Sequence, residues 1–153
     1  MTQHHDGDSV GRINAESIRT MYDLERRQQL DEWAALWAEH CVVSFPFATD
    51  PASMRVEGKD TLVAWTAEKF RDRDKVEIEV EVAPFADGRR VMSQLHARIH
   101  FATGDVLALP ILCLFTFDEA GLILTMEEYV NEALISGQFG VGRLPGPESA
   151  VAQ

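Results

Sequence analysis

The chain has 153 residues, 46% of them apolar and 25% charged, and a formal net charge of −11. Its length fits one domain with a proper core, and its acidity argues against nucleic acid and anionic membrane surfaces as partners. No apolar run approaches the ~20 residues of a membrane helix, and the polar start, Met1 to Gly11, does not read as an export signal.

Two distant cysteines, Cys41 and Cys113, have no metal-ligand spacing. They read as free, buried and small, which fits a cytoplasmic protein. Residues 1–12 are expected to be a disordered leader, and the His4-His5 pair inside it an incidental one. Asn14 can cap a first helix whose buried stripe is Ile18, Met21, Tyr22 and Glu25. A second helix after Gln29 would bury Leu30, Trp33, Ala34 and Trp37. Cys41 to Phe45 reads as a short strand stopped by Pro46, followed by an Ala48–Ser53 loop. Gly58-Lys59-Asp60 opens a third helix packing Leu62, Val63, Thr66 and Phe70.

The period then changes to two. Val76, Ile78, Val80 and Val82 alternate with Lys75, Glu77, Glu79 and Glu81, a half-buried strand with one solvated face. Short connections carrying Gly or Asp join it to strands over 90–101, 106–117 and 122–131, a run of antiparallel hairpins. Pro110 predicts a bulge or an edge position. The 106–117 strand is apolar on both faces, which predicts a central place with something packed on each side. Residues 13–135 form one domain on this reading, and 136–153, rich in Gly and Pro, a C-terminal arm. The fold class is α+β: three N-terminal helices cover one face of a strongly curved, mainly antiparallel sheet and enclose a conical hollow.

This order resembles the NTF2-like superfamily, over about residues 13 to 145. The resemblance is carried by Leu30 to Cys41, by Val56-Glu57-Gly58-Lys59-Asp60, and by Phe115 to Ile123 leading into Glu128-Tyr129. Within it the chain is similar to the SnoaL-like group, and most to its phenazine-biosynthesis A/B-type proteins. Asn14 with its helix, Arg55 to Leu62, and Glu127 to Asn131 with the Gly/Pro tail carry that likeness. In those proteins a Glu at the position of Glu128 is the acid/base group. The ketosteroid isomerase base falls on Phe45, its oxyanion-hole Asp near Cys113, and its Tyr on Met21 or, with a gap, Tyr22, which disfavours steroid isomerisation. The epoxide hydrolase Arg and Asp fall on Gln94 and His96, and its water-holding Tyr and Asn on Val43 and Phe45. Only its last carboxylate, at Glu128, survives. The resemblance also implies a homodimer paired through the outer sheet face.

Glu128 therefore leads the candidates. Alternation sets it with Met126 and Val130, opposite Glu127 and Tyr129, on a side where lost solvation would raise its pKa and suit acid work. His96 is its expected partner, orienting a substrate or relaying a proton. Arg98 and His100 share the stripe of His96 and could contact substrate, or could pair with Glu77, Glu79 and Glu81 across strands. Tyr22, Phe45, Phe47, Trp37, Trp65, Leu109 and Ile111 could line the hollow, with Phe45 and Phe47 near its mouth. No metal-ligand cluster, phosphate loop or cofactor motif is visible. The expected function is a cofactor-independent acid/base enzyme, an isomerase, cyclase or condensation catalyst, acting on an apolar cyclic or polyketide-like natural-product intermediate. An epoxide hydrolase or epoxide-opening cyclase is the alternative enzyme. A non-catalytic ligand-binding or dimerisation module is the third reading, favoured if His96 and Glu128 face apart.

Overall fold

A computed structural model describes residues 3–48 and 55–131. Helix α1 (Gln3–Arg26) is followed by one turn and a half of α2 (Leu30–Ala34), strand β1 (Trp37–Ser44), a short β2 (Arg55–Glu57) and helix α3 (Lys59–Asp72). Four strands complete the chain: β3 (Arg73–Pro84), β4 (Arg90–Phe101), β5 (Val106–Phe117) and β6 (Ile123–Val130). They form one curved, open six-stranded sheet in the order β2-β1-β6-β5-β4-β3. Every pairing is antiparallel except β1 with β6. The expected C-terminal arm, 136–153, lies outside the described residues, as does most of the Ala48–Ser53 loop.

The meander follows from the alternation. Val76 and Ile78 on β3, Leu95, Ala97 and Ile99 on β4, and Leu107, Leu109, Cys113 and Phe115 on β5 all turn to the helices and join one apolar core. Their immediate neighbours in sequence face outward, so a one-residue slip would expose the whole set. Phe115, wholly buried, meets the Tyr22 ring edge-to-face at 6.4 Å.

The helices depart from expectation. Instead of a disordered leader, residues from Gln3 onward form the first turns of α1. The cause is a long-range contact. Gly7 and Gly11, four apart on one helix face, lie against the β3–β4 turn, where Gly88 has a φ of 70°. A Cβ on Gly88 would stand 2.6 Å from the Gly7 carbonyl oxygen and 3.0 Å from the Gly11 nitrogen. Asn14 does not cap a helix start; its Nδ2 donates to the Gly88 carbonyl at 2.8 Å. Helix α2 also stops early, because backbone that would have extended it is taken by the sheet. Trp37 pairs with Ile123, whose N–H donates to the Leu36 carbonyl at 2.9 Å. Tertiary hydrogen bonding here overrides local propensity.

Strand β5 is central, between β4 and β6, but among the described residues no helix or strand covers its outer face: Val106, Ala108, Pro110 and Leu112 are exposed. Pro110 sits in regular register opposite His96, without a bulge. The β5–β6 ladder begins only at Ile111, so Pro110 has a strand neighbour on one side, the edge position that its missing N–H allows.

The glycine contact is testable by urea denaturation. Gly121 has a φ of 81° with open space around it, so Gly121→Ala carries only left-handed strain, ~1–2 kcal/mol. Gly88→Ala adds displacement of α1 and is expected to cost about 3 kcal/mol or more. Equal losses would show that the α1 contact contributes no stability.

Candidate active site

Helical spacing aims three stripes into the hollow. Met21, Tyr22 and Glu25 come from α1, Leu62, Trp65, Thr66 and Lys69 from α3, and Trp33 and Trp37 from α2 and the start of β1. Arg73 follows where α3 passes into β3. The sheet supplies Val76, Ile78, Leu95, Ala97, Ile99, Ile111, Met126, Cys113 and Glu128. Together they enclose a cavity of about 70 Å³, about two waters at ~30 Å³ each.

Its walls are apolar and its polar content is concentrated. Cys113 pairs with Ser93 on one side and with Glu128 on the other, which puts the three in one row across β4, β5 and β6. Tyr22 hydroxyl and Ser93 Oγ are hydrogen-bonded at 2.8 Å. Burial, reinforced by the Cys113 thiol, pushes the Tyr22 hydroxyl well above its usual range. Burial likewise pushes up Cys113, next to Glu128, so both groups stay protonated at neutral pH.

Four ionisable groups share this space. Burial raises the Glu128 carboxyl; Lys69 and Arg73 pull it back, and Glu25 pushes it further up. Lys69 is lowered by the same loss of solvent, against the attraction of Glu25 and Glu128. Its Nζ also sits 4.3 Å from the centre of the Trp65 ring, a cation–π contact. Arg73 Nη1 stands 3.8 Å from Glu25 Oε1, an ion pair too long for a hydrogen bond. A carboxyl pushed up and an ammonium pushed down in one cavity are brought closer in proton affinity, the arrangement that suits proton exchange with a ligand.

Of the sequence candidates, Glu128, Tyr22, Trp37, Trp65 and Ile111 line this cavity. Phe45 and Leu109 are core residues outside its lining, Phe45 packing edge-to-face on Trp65 at 5.7 Å. Phe47 is 70% exposed and meets Tyr129 edge-to-face at 5.0 Å, on the outer face and not at the cavity mouth. The basic stripe is also turned outward. Its apolar neighbours Leu95, Ala97 and Ile99 take the inner side, and His96, opposite exposed Pro110, faces solvent. His96 is therefore no partner of Glu128. His100 Nε2 lies 2.9 Å from Glu77 Oε2 and Arg98 Nε 3.9 Å from the same oxygen, the cross-strand ion pairing. With Lys75, His100 holds the Glu77 carboxyl down at about 2. Val106, Ala108, Pro110, Leu112 and Phe47 are apolar and exposed on the outer face.

Sequence reading missed Lys69, Arg73 and Ser93, and took Glu25 only as part of a buried stripe. The signal was present: Lys69 follows Trp65 and Thr66 by four and three residues, the spacing of one helix face. Among the described residues no group of three or more His, Cys, Asp or Glu side chains could hold a metal ion, and no helix is long and apolar enough to cross a membrane.

A curved sheet closed on one side by helices, with two carboxyls and two cations inside an apolar hollow, defines an NTF2-like α+β cone. The chain belongs to the SnoaL-like family, whose domain matches residues 18–126. No curated protein matches it. Among solved structures it is similar to a candidate isomerase from Bacillus subtilis, at 20% identity and a TM-score of 0.73, covering 87% of this chain and 96% of that one. It is also similar to a phenazine biosynthesis-related protein from Pseudomonas aeruginosa, at 19% and 0.74, covering 90% and 91%. A third is a candidate polyketide cyclase from Xanthomonas campestris pv. campestris, at 18% and 0.70, covering 84% and 98%. At these identities the likeness establishes the fold.

Proposed function

We propose that the protein is a cofactor-independent proton-transfer enzyme of the isomerase or cyclase kind, acting on a compact carbonyl compound with an apolar body. The placement of Glu128 carries this reading: its carboxyl, raised by burial, lies in the wall of an otherwise apolar cavity beside Lys69. Ionised Glu128 takes a proton from the carbon next to the carbonyl. The C–H electron pair moves into the new C=C bond, and the carbonyl pair moves onto oxygen, where Lys69 or Arg73 neutralises the charge. Where a β,γ double bond makes the enolate a dienolate, return of the proton from Glu128 to the γ-carbon completes an isomerisation; attack of the enolate carbon on a second carbonyl, whose oxygen then takes the proton back from Glu128, completes a cyclisation. Drug-sized ligands occupy cavities of ~300–1,000 Å³ and a cavity that binds benzene is about 150 Å³, so a volume near 70 Å³ supports a short-chain substrate rather than a ring.

The related proteins named as isomerase, polyketide cyclase and phenazine biosynthesis-related support the same class of chemistry. The outward turn of His96 favours a second reading, a ligand-binding module without turnover. Proton NMR in D₂O separates the two, following loss of α-proton signal from small ketones. Exchange above the buffer rate, unchanged within about twofold in His96→Ala, is expected. Ligand binding without any exchange would leave the binding module standing.

A further inference from the structure

The chain has three lysines, Lys59, Lys69 and Lys75, and of these only Lys69 lines the inner cavity. The other two are ordinary surface cations, Lys59 at 3.6 Å from a Glu39 carboxylate oxygen and Lys75 at 2.9 Å from one of Glu77. Among the described residues Lys69 makes no hydrogen bond and no ion pair; its Nζ stands over the face of Trp65, 4.3 Å from the ring centre. Lys69 also keeps accessible surface, so a small molecule that enters the cavity can reach it.

An amine attacks a carbonyl only after losing its proton, and apolar surroundings or a neighbouring cation favour that loss. Both are present around Lys69. Leu62, Leu95 and Ile99 are among the walls, and Arg73 shares the space. Burial lowers the Lys69 ammonium and Arg73 lowers it further, while Glu25, Glu128 and Cys113 hold it up. Glu128, in the same cavity, is a carboxylate that can take the proton and return it.

We propose that Lys69 is a carbonyl-capturing nucleophile, forming a reversible imine with a short-chain aldehyde or ketone while Glu128 carries the protons. Ionised Glu128 takes one proton from the Lys69 ammonium. The freed nitrogen pair forms a bond to the carbonyl carbon, and the C=O π pair moves onto oxygen. Glu128 gives its proton to that oxygen and takes another from nitrogen, which leaves a carbinolamine. Protonation of the hydroxyl by Glu128 breaks the C–O bond and releases water, and the nitrogen pair closes the protonated imine. Ammonium and carbonyl thus become iminium and water, and Glu128 ends ionised, as it began. The iminium keeps one positive charge beside Trp65. Capture goes beyond the enolate reading and removes no C–H proton; it leaves Arg73 as the cation for an enolate oxygen.

The probe is propanone, given to the full chain at pH 7 with sodium cyanoborohydride, which reduces the imine to a stable isopropyl amine. Peptide mass mapping then reads each lysine, with Lys59 and Lys75 as references in the same molecule. Lys69 should be labelled at least ~10-fold faster than either. Unfolding in urea should erase that preference, because it depends on the cavity. Glu128→Gln should slow labelling of Lys69 by ~10-fold or more and leave Lys59 and Lys75 unchanged. Equal labelling of the three lysines in the folded chain, or labelling that spares Lys69, overturns the proposal. A Lys69 preference undiminished in Glu128→Gln overturns the proton relay. Trapping at Lys69 without α-proton exchange would defeat the enolate reading alone, and exchange without trapping would defeat the capture alone.

Discussion

Glu128→Gln is expected to keep the fold and to lower α-proton exchange by ~10²–10⁴, the usual contribution of one positioned acid/base group. Glutamine keeps the shape and one oxygen but cannot accept the proton. Tyr22 and Cys113 cannot replace it, since burial raises both well above their ordinary values and keeps them protonated, with no free site to accept the proton. The substitution also has a signature in stability. Because burial raises the folded-state pKa of Glu128, the folded chain holds more protons than the unfolded one between the ordinary glutamate value and the raised one. Stability therefore falls as pH rises through that window, and Glu128→Gln should flatten the fall. Denaturant midpoints across pH 4 to 8 measure it; an identical pH profile in both proteins would mean that Glu128 is solvated. Exchange at the wild-type rate in the variant would remove Glu128 from the chemistry.

Arg73→Met is expected to destabilise the protein by roughly 2–4 kcal/mol, somewhat below the cost of stripping one partner from a fully buried ion pair. Arg73 and Glu25 are both mostly buried, and loss of the guanidinium leaves the Glu25 carboxylate facing Glu128 across the cavity without its nearest cation. Arg73→Met combined with Glu25→Gln should recover most of the loss, because the charge left behind, not the pair itself, carries the cost. Urea unfolding of the two single variants and the double variant measures this. A simple sum of the single losses would show that the two groups do not interact, and would recast the cavity as solvated.

How far the residues announced this site depends on which regularity positioned them. Glu128 was legible because strand alternation sets it with Met126 and Val130 on one side of β6, and the cavity receives Met126 and Glu128 together. The same alternation grouped His96, Arg98 and His100 correctly on one face of β4, but their polarity was read as chemistry and the face assigned to the hollow. The apolar set Leu95, Ala97 and Ile99 was the better guide, because the interior takes the face whose desolvation costs least. Lys69 and Arg73 went unread for the opposite reason: cations are usually solvated, and nothing local marks the ones whose helix face is turned inward.

The sequence by itself determined the α+β order, the hairpin meander and the row of alternating side chains that brings Glu128 inside, since these rest on local periodicity and turn chemistry. Tertiary structure alone decided that α1 begins at Gln3, held by Gly7 and Gly11 against Gly88. It alone ended α2 at Ala34, where Trp37 passes into the sheet beside Ile123. It also chose which face of β4 looks inward and gathered Glu25, Lys69, Arg73 and Glu128, from three elements and the α3–β3 junction, into one space. Each of these depends on contacts between residues far apart in the chain, for which no local pattern encodes a partner.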